Sequence, residues 1–286
     1  SHFLVNRAQS TRRDRDRLCR ASLGAAAPET TKPAATPCVA GVVVSSACPG
    51  GRGRIRLMQK SATEPPVNSS GYTLGEEIAN ALTSAIGTAL AIAGLVVMTV
   101  FAALKGDVWH IVGVSIFGAS LIFSHLSSTL YHAIAPPRAK RVLQIIDHLA
   151  IYFLIAGTYT PFTLVNLRGP WGWSLLVLIW ALALFGVIIK STRLDDVRYL
   201  STAFYVAMGW TAVLVIKPMI ESVAPGGVAL IVAGGLAYTG GVAFYAWNRL
   251  PYNHAIWHLF VIAGGGLHVF AVLFYVVPLA GAAHGL

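Results

Sequence analysis

The amino-acid sequence predicts an all-α integral membrane protein, folded as a seven-transmembrane helix bundle. The chain is 56% hydrophobic and only 11% charged, with a mean hydropathy of +0.67, whereas soluble domains carry about 25% charged residues. The charges are also clustered, and each window between the clusters holds roughly the 20 residues that a helix needs to cross a bilayer. Seven such windows lack Lys, Arg, Asp and Glu: 78–104, 108–137, 148–167, 169–189, 199–216, 222–248 and 250–286.

Short joints rich in helix breakers connect the predicted spans. Span one follows "GYTLG", and Glu76 and Glu77 suit the first turn of its helix, where acidic side chains are stabilised. The later joints include "KGD" (105–107), "PPRAKR" (136–141), "RGPWG" (168–172) and "APGG" (224–227). Connections this short predict that consecutive helices run antiparallel as neighbours.

The basic residues predict the orientation of the bundle. Loops on the side of the N-terminus hold Arg138, Lys140, Arg141, Lys190, Arg193, Arg198 and Arg249, whereas the opposite loops hold only Lys105, Arg168 and Lys217. Because basic loops stay inside the cell, we expect a cytoplasmic N-terminus and, after seven spans, an external C-terminus. The net charge of +10 is therefore a signal of topology, and no motif indicates nucleic-acid binding.

The N-terminal region differs from the rest of the chain. Residues 1–57 are poor in bulky hydrophobic residues and rich in Arg, Ala, Pro and Gly, which predicts a disordered or non-native extension. It contains all three cysteines, so the membrane domain has no thiolate ligand and no disulfide. Met58 marks the expected start of the natural protein, and 1–57 should be dispensable. Residues 58–77 then form a short cytoplasmic segment, and 78–280 form the transmembrane domain.

Two histidines at the start of the last span indicate a metal site. His254 and His258 are four residues apart, so a helix places both on one face. Zinc proteases use His pairs at this spacing with a Glu beside the first His, but Ala255 occupies that position here. The pair therefore lacks the neighbouring carboxylate of those proteases, and any carboxylate at this site has to come from another segment.

Other polar residues converge on the same end of the bundle. Ser120, Ser124, Ser128 and His132 recur every four residues along span two, and polar stripes inside spans usually face the bundle interior. Asp147 is expected in the first turn of span three. Three imidazoles with an open fourth position match a catalytic zinc site. The alternative is that each histidine only makes a hydrogen bond at a helix end. We expect such structural roles for His125 and His268, and interfacial positions for His110 and His148.

At these residues the chain resembles the bacterial hemolysin III family. The motifs are "GYTLGEEIANALTSAIG", "SSTLYHA", "IIDHLAIYFLIAGTYTPF", "YVAMGW" and "RLPYNHAIWH", and the resemblance covers about residues 71–278. The family is related to the progestin and adipoQ receptors, including the adiponectin receptors, and more distantly to alkaline ceramidases. It implies a bacterial inner (plasma) membrane location and seven helices with a cytoplasmic N-terminus.

The resemblance also implies roles for individual residues. His132, His254 and His258 would bind Zn²⁺, Asp147 would hold the zinc-bound water, and Ser128 would lie beside it. Relatives commonly carry His-Gly where this chain has Ser84-Ala85. Because that position is not among the family's zinc ligands, we expect the site to be retained.

Three functions remain open from the sequence. The first is a zinc-dependent intramembrane hydrolase of lipid amide or ester bonds, with membrane lipid as its partner. The second is a pore-forming cytolysin, after the family's name, although no charged stripe lines a span. The third is a membrane-lipid sensor in which zinc only clamps the helices. The sequence leaves the lipid and the oligomeric state open.

Overall fold

The computed structural model of the chain describes residues 71–191 and 200–277, and the regular secondary structure in these ranges is helical. The predicted extension 1–57 lies outside the described residues, as do 58–70, 278–286 and the loop cations Arg193 and Arg198. The helices are α1 (Leu74–Lys105), α2 (Val108–Ala133), α3 (Pro137–Leu164), α4 (Pro170–Ser191), α5 (Leu200–Gly209), α6 (Ile216–Ser222), α7 (Pro225–Ala246) and α8 (Asn253–Tyr275).

Seven of the described segments are long and apolar enough to cross a membrane, which confirms the predicted fold class. α5 and α6 are joined by a short 3₁₀ turn, Thr211–Val215, and together make the fifth span, Leu200–Ser222. Many large hydrophobic side chains on the bundle surface are exposed, including Leu90 and Val96 of α1. Exposed apolar side chains of this kind are expected where helices face lipid.

Local sequence signals explain where the first helices begin. Thr73 and Glu76 form a reciprocal capping box at the start of α1, and Asp107 caps α2 by accepting from the backbone N–H of Trp109 at 2.8 Å. Pro137 begins α3, because a proline in the first turn needs no hydrogen-bond donor.

Several cations predicted in loops lie in helices instead. Lys140, like its basic neighbours, lies in the first turns of α3 rather than in a loop. Lys217 lies inside α6 rather than in the joint after span five. The start of α3 differs because Pro137 suits the first helical position, and charged side chains are compatible with the terminal turns of a helix.

The packing of α1 determines where the candidate site lies. This helix packs against α2 on one side and α8 on the other, while α2 also packs against α3, and α7 against α8. Buried apolar residues such as Met98, Val114 and Phe117 fill the space between these helices. Because consecutive spans alternate in direction, the starts of α1, α3 and α8 share one end of the bundle with the last turn of α2.

Candidate metal centre

Three histidines from two helices meet where α2 ends and α8 begins. His132 is the second-last residue of α2, while His254 and His258 occupy the first two turns of α8. Their side chains are buried, and their ring centroids lie 4.5 Å (His254–His258), 5.0 Å (His132–His254) and 5.5 Å (His132–His258) apart. One ring nitrogen of each lies within 4.8 Å of the other two. The structure thus brings together the three histidines predicted as ligands, and the group could hold a metal ion.

Several nitrogens of this cluster are buried without a partner among the described residues. They are Nε2 of His132 and both ring nitrogens of His254. Leaving a buried polar atom unpaired costs about 1–3 kcal/mol, and native structures contain few of them. A bound divalent ion would satisfy Nε2 of His132 and one of the two ring nitrogens of His254. Three imidazoles with an open fourth position are a donor set that zinc accepts, so the residues fit the predicted metal.

Two hydroxyl groups of α1 orient His258. Its Nδ1 lies 3.0 Å from Thr83 Oγ1 and 3.0 Å from Ser84 Oγ. The Thr83 hydroxyl donates to the Ala79 carbonyl at 2.8 Å, and the Ser84 hydroxyl donates to Ser128 Oγ at 3.1 Å. Because each hydroxyl has a single proton, both must accept from His258, whose Nδ1 therefore carries its hydrogen. The lone pair of His258 is then on Nε2, where a metal ion can use it.

A buried carboxylate orients His132 in the same way. Glu77 of α1 accepts a hydrogen bond from His132 Nδ1 at 2.7 Å, and its other oxygen lies 2.9 Å from Lys140 Nζ. Lys140 also donates to the Tyr131 carbonyl at 2.9 Å. With the proton on Nδ1, the lone pair of His132 is on Nε2, the nitrogen that has no partner. A carboxylate behind a ligating histidine typically fixes the ring and raises its basicity.

Ser128 and Asp147, the two predicted catalytic residues, lie beside the histidines. The Ser128 hydroxyl is 3.2 Å from His258 Nε2, and Ser128 also lies near the Asp147 carboxyl. Both residues are buried and line the same cavity as His258. The prediction that Asp147 lies in the first turn of its helix is wrong, because α3 begins at Pro137 and places Asp147 in the third turn. α3 therefore supplies a carboxyl group to the cavity that the histidine pair of α8 lines. α8 itself has Ala255 at the position where zinc proteases carry their Glu.

Tyr72, which precedes α1, covers the histidine cluster. Its ring centroid lies 5.8 Å from that of His132 and 5.4 Å from that of His254. Burial raises the pKa of the Tyr72 hydroxyl above its ordinary value, so the phenol stays protonated at neutral pH. An uncharged aromatic side chain thus screens this end of the site.

An apolar cavity of about 210 Å³ extends from the site into the bundle. Asp147 and His258 line one part of it, and Tyr238 and His268 line another. Most of the remaining wall is hydrophobic side chain from α3, α5, α6, α7 and α8. The space suits a hydrocarbon chain with a polar group at the histidine end.

The sequence matches the Haemolysin-III related family over residues 72–269, which is more than half of the chain. The chain belongs to this family. It is 46% identical to Hemolysin-3 of Bacillus cereus over 205 residues (72% of this chain and 94% of the relative), and 47% identical to the Hemolysin-3 homolog of Bacillus subtilis over 206 residues (72% and 97%). It is 29% identical to the human monocyte to macrophage differentiation factor over 209 residues (71% and 85%). The predicted family is confirmed, and with seven membrane-length helices it makes the chain an integral membrane protein.

Sequence reasoning missed the part of this hemolysin III site that α1 supplies. Glu77 was assigned only to a helix first turn and Lys140 only to a basic loop, whereas both are buried in one ion-paired group with His132. Ser84 was noted only as a position that is not among the family's zinc ligands, yet its hydroxyl contacts both His258 and Ser128. The capping box of α1 is complete with Thr73 and Glu76. The adjacent Glu77 is therefore not needed for capping, and this was the sequence signal that it has another partner.

The remaining histidines take different roles. His268 Nδ1 donates to the Gly264 carbonyl at 2.7 Å, which confirms the predicted structural hydrogen bond. His125 is buried with its ring against Gly87 of α1, where any larger side chain would collide with it. His110 packs at the start of α2, with its Nδ1 2.8 Å from Asp107 Oδ1.

Proposed function

We propose that this hemolysin III family member is a zinc-dependent intramembrane hydrolase of lipid amide or ester bonds. The observation that carries the proposal is that Asp147 and Ser128 line the same cavity as His254 and His258. Glu77 holds His132 by its Nδ1, and Thr83 and Ser84 hold His258 by its Nδ1, so that Nε2 of each ring carries the lone pair. When bound by the three histidines, zinc supplies a Lewis acid and a water that ionises near neutral pH.

The protein's own residues would handle the protons. Asp147 is positioned as the general base that takes a proton from the attacking water, a role worth about 100- to 10,000-fold in rate. Ser128 is positioned to donate a hydrogen bond, either to the Asp147 carboxyl or to the oxyanion that develops at the scissile carbonyl. Ser84 supports it, because its hydroxyl donates to Ser128 Oγ and leaves the Ser128 proton for these acceptors.

The substrate class follows from the cavity. A pocket with hydrophobic walls that reaches the polar site from within a membrane bundle favours an amphiphile whose acyl chain lies along the walls and whose amide or ester reaches Asp147. We propose membrane lipid as the partner. The predicted cytoplasmic N-terminus and bacterial inner-membrane location place the site on the cytoplasmic side of that membrane.

The Asp147→Asn variant tests the proposal. It keeps the size of the side chain and removes the base, so we expect a folded, zinc-loaded protein whose hydrolysis of lipid amides and esters falls by about 100-fold or more. The matched control is Asp107→Asn at the opposite end of the bundle, which should keep full activity. Activity undiminished in Asp147→Asn would remove this residue from the mechanism. A wild-type protein that retains zinc but hydrolyses no lipid of a broad panel would favour the zinc-clamped sensor.

The names of the two Bacillus relatives, Hemolysin-3 and Hemolysin-3 homolog, favour a second candidate, pore formation that lyses cells. Release of a trapped dye from lipid vesicles distinguishes the two. A pore should release dye equally well with wild-type protein and with Asp147→Asn, because conduction needs no general base. A hydrolase should leave the vesicles intact or act only when Asp147 is present.

A further inference from the structure

A second polar group lies in the cavity away from the metal centre. His268 of α8 is only 5% exposed, and its Nδ1 donates to the Gly264 carbonyl. A carbonyl can only accept, so the other ring nitrogen, Nε2, carries a lone pair, and no described group donates to it. The ring of Tyr238 lies nearly parallel to that of His268, with centroids 5.6 Å apart and an interplanar angle of 17°. The Tyr238 hydroxyl is buried without a hydrogen-bond partner among the described residues.

Several other polar side chains of the cavity wall already have hydrogen-bond partners. Thr158 and Thr239 donate to carbonyls of their own helices at 2.8 Å. Tyr159 donates to the Gly209 carbonyl at 2.5 Å, and Trp210 donates to Thr239 Oγ1 at 3.0 Å. These groups therefore need no hydrogen-bond partner from a ligand. Outside the metal centre, His268 Nε2 and the Tyr238 hydroxyl remain an open acceptor and an open donor on the wall formed by α7 and α8, and buried groups of this kind normally have partners.

We propose that His268 and Tyr238 form a subsite that binds a hydroxyl group carried in the middle of a lipid chain. The ligand hydroxyl donates to His268 Nε2 and accepts from the Tyr238 hydroxyl, so both open groups are satisfied by one ligand atom. The inference rests on the proposed function only in taking a lipid as the occupant of the cavity. It adds that the cavity prefers a lipid whose hydrocarbon chain carries a hydroxyl group.

The spacing along α8 predicts the position of that hydroxyl. His268 is ten residues beyond His258, a separation of roughly 15 Å along a helix that rises about 1.5 Å per residue. A carbon chain with bonds of about 1.5 Å covers this distance in roughly 10 to 12 carbons. A chain whose carboxyl carbon sits at the histidine cluster therefore presents its middle carbons to His268.

Binding of free fatty acids tests the subsite without requiring turnover. The probes are octadecanoic acid and the same acid with a hydroxyl on its twelfth carbon, competed against a fluorescent fatty acid on the zinc-loaded full chain in detergent. We expect wild-type protein to bind the hydroxylated acid about 3- to 10-fold more tightly, as one or two added hydrogen bonds would give. Moving the hydroxyl to the second carbon should abolish this advantage.

The variants separate the subsite from general packing. Tyr238→Phe removes only a hydroxyl, and His268→Leu removes the ring acceptor; each should bring the two affinities closer while zinc content stays unchanged. Thr158→Val is the matched control, since its hydroxyl is already paired, and it should keep the full preference. Equal affinities in wild-type protein, or a preference that survives both substitutions, would overturn the subsite. A clear preference in a protein that hydrolyses no lipid would support the subsite while rejecting the hydrolase.

Discussion

Replacing Glu77 by glutamine removes the charge that holds His132 while keeping the length of the side chain. Glu77 is 2.7 Å from His132 Nδ1 and 2.9 Å from Lys140 Nζ, and all three side chains are buried. A glutamine oxygen can still accept from Nδ1, but it no longer raises the basicity of the ring. Outer-shell changes of this kind weaken metal binding by about 10- to 100-fold, which corresponds to about 1.4–2.8 kcal/mol.

Lys140 makes it possible to separate this effect from stability. Glu77→Leu leaves the buried ammonium of Lys140 without its carboxylate, and breaking a buried ion pair in this way costs about 3–5 kcal/mol. Adding Lys140→Leu removes the unpaired charge, so the double variant should recover most of that stability. It should not recover zinc affinity, because His132 still lacks an acceptor behind its ring.

Zinc affinity is measured by competition with a chelating dye, and stability by thermal unfolding of the zinc-free protein. Glu76→Gln is the matched control, because that carboxylate caps α1 through Thr73 and accepts from the backbone of Tyr252 rather than from a histidine. It should bind zinc as the wild-type protein does. Wild-type affinity in Glu77→Gln, or an equal loss in Glu76→Gln, would refute the role assigned to the carboxylate.

The remaining predictions concern the metal ligands and the cap of α2. The His254→Ala, His258→Ala double variant should purify without stoichiometric zinc and unfold at a lower temperature, since the metal binds the folded state; full zinc content by elemental analysis would contradict the site. The side chain of His110, together with the first backbone N–H groups of α2, lowers the pKa of Asp107 to about 2. A depressed pKa means that the cap stabilises the folded state fully above the unfolded value of about 3.9 and loses this effect as the pH falls toward 2. Asp107→Ala should therefore lower the melting temperature at pH 7, and a difference from wild type that persists unchanged at pH 2 would count against the cap.

The fold class could be predicted because lipid imposes a simple rule on sequence. Charged side chains are costly in the hydrocarbon core, so seven charge-free windows sufficed to predict seven spans. The helical repeat was equally reliable for His254 and His258, and for the stripe that ends at Ser128 and His132. The depth of Asp147 was predicted wrongly, because it depends on where α3 begins.

Sequence alone determined that the chain forms a membrane bundle and which histidines share a helix face. Hydrophobic composition and the helical repeat are properties of each segment by itself. Only the tertiary structure decided that Glu77 and Lys140 belong with His132, and that Ser84 belongs with His258. These partners are far apart along the chain, and each has an ordinary local explanation as a helix-end charge, a loop cation or a small polar residue. Their function depends on which face of α1 turns toward α2 and α8, and that choice is made by the packing of side chains across the whole bundle.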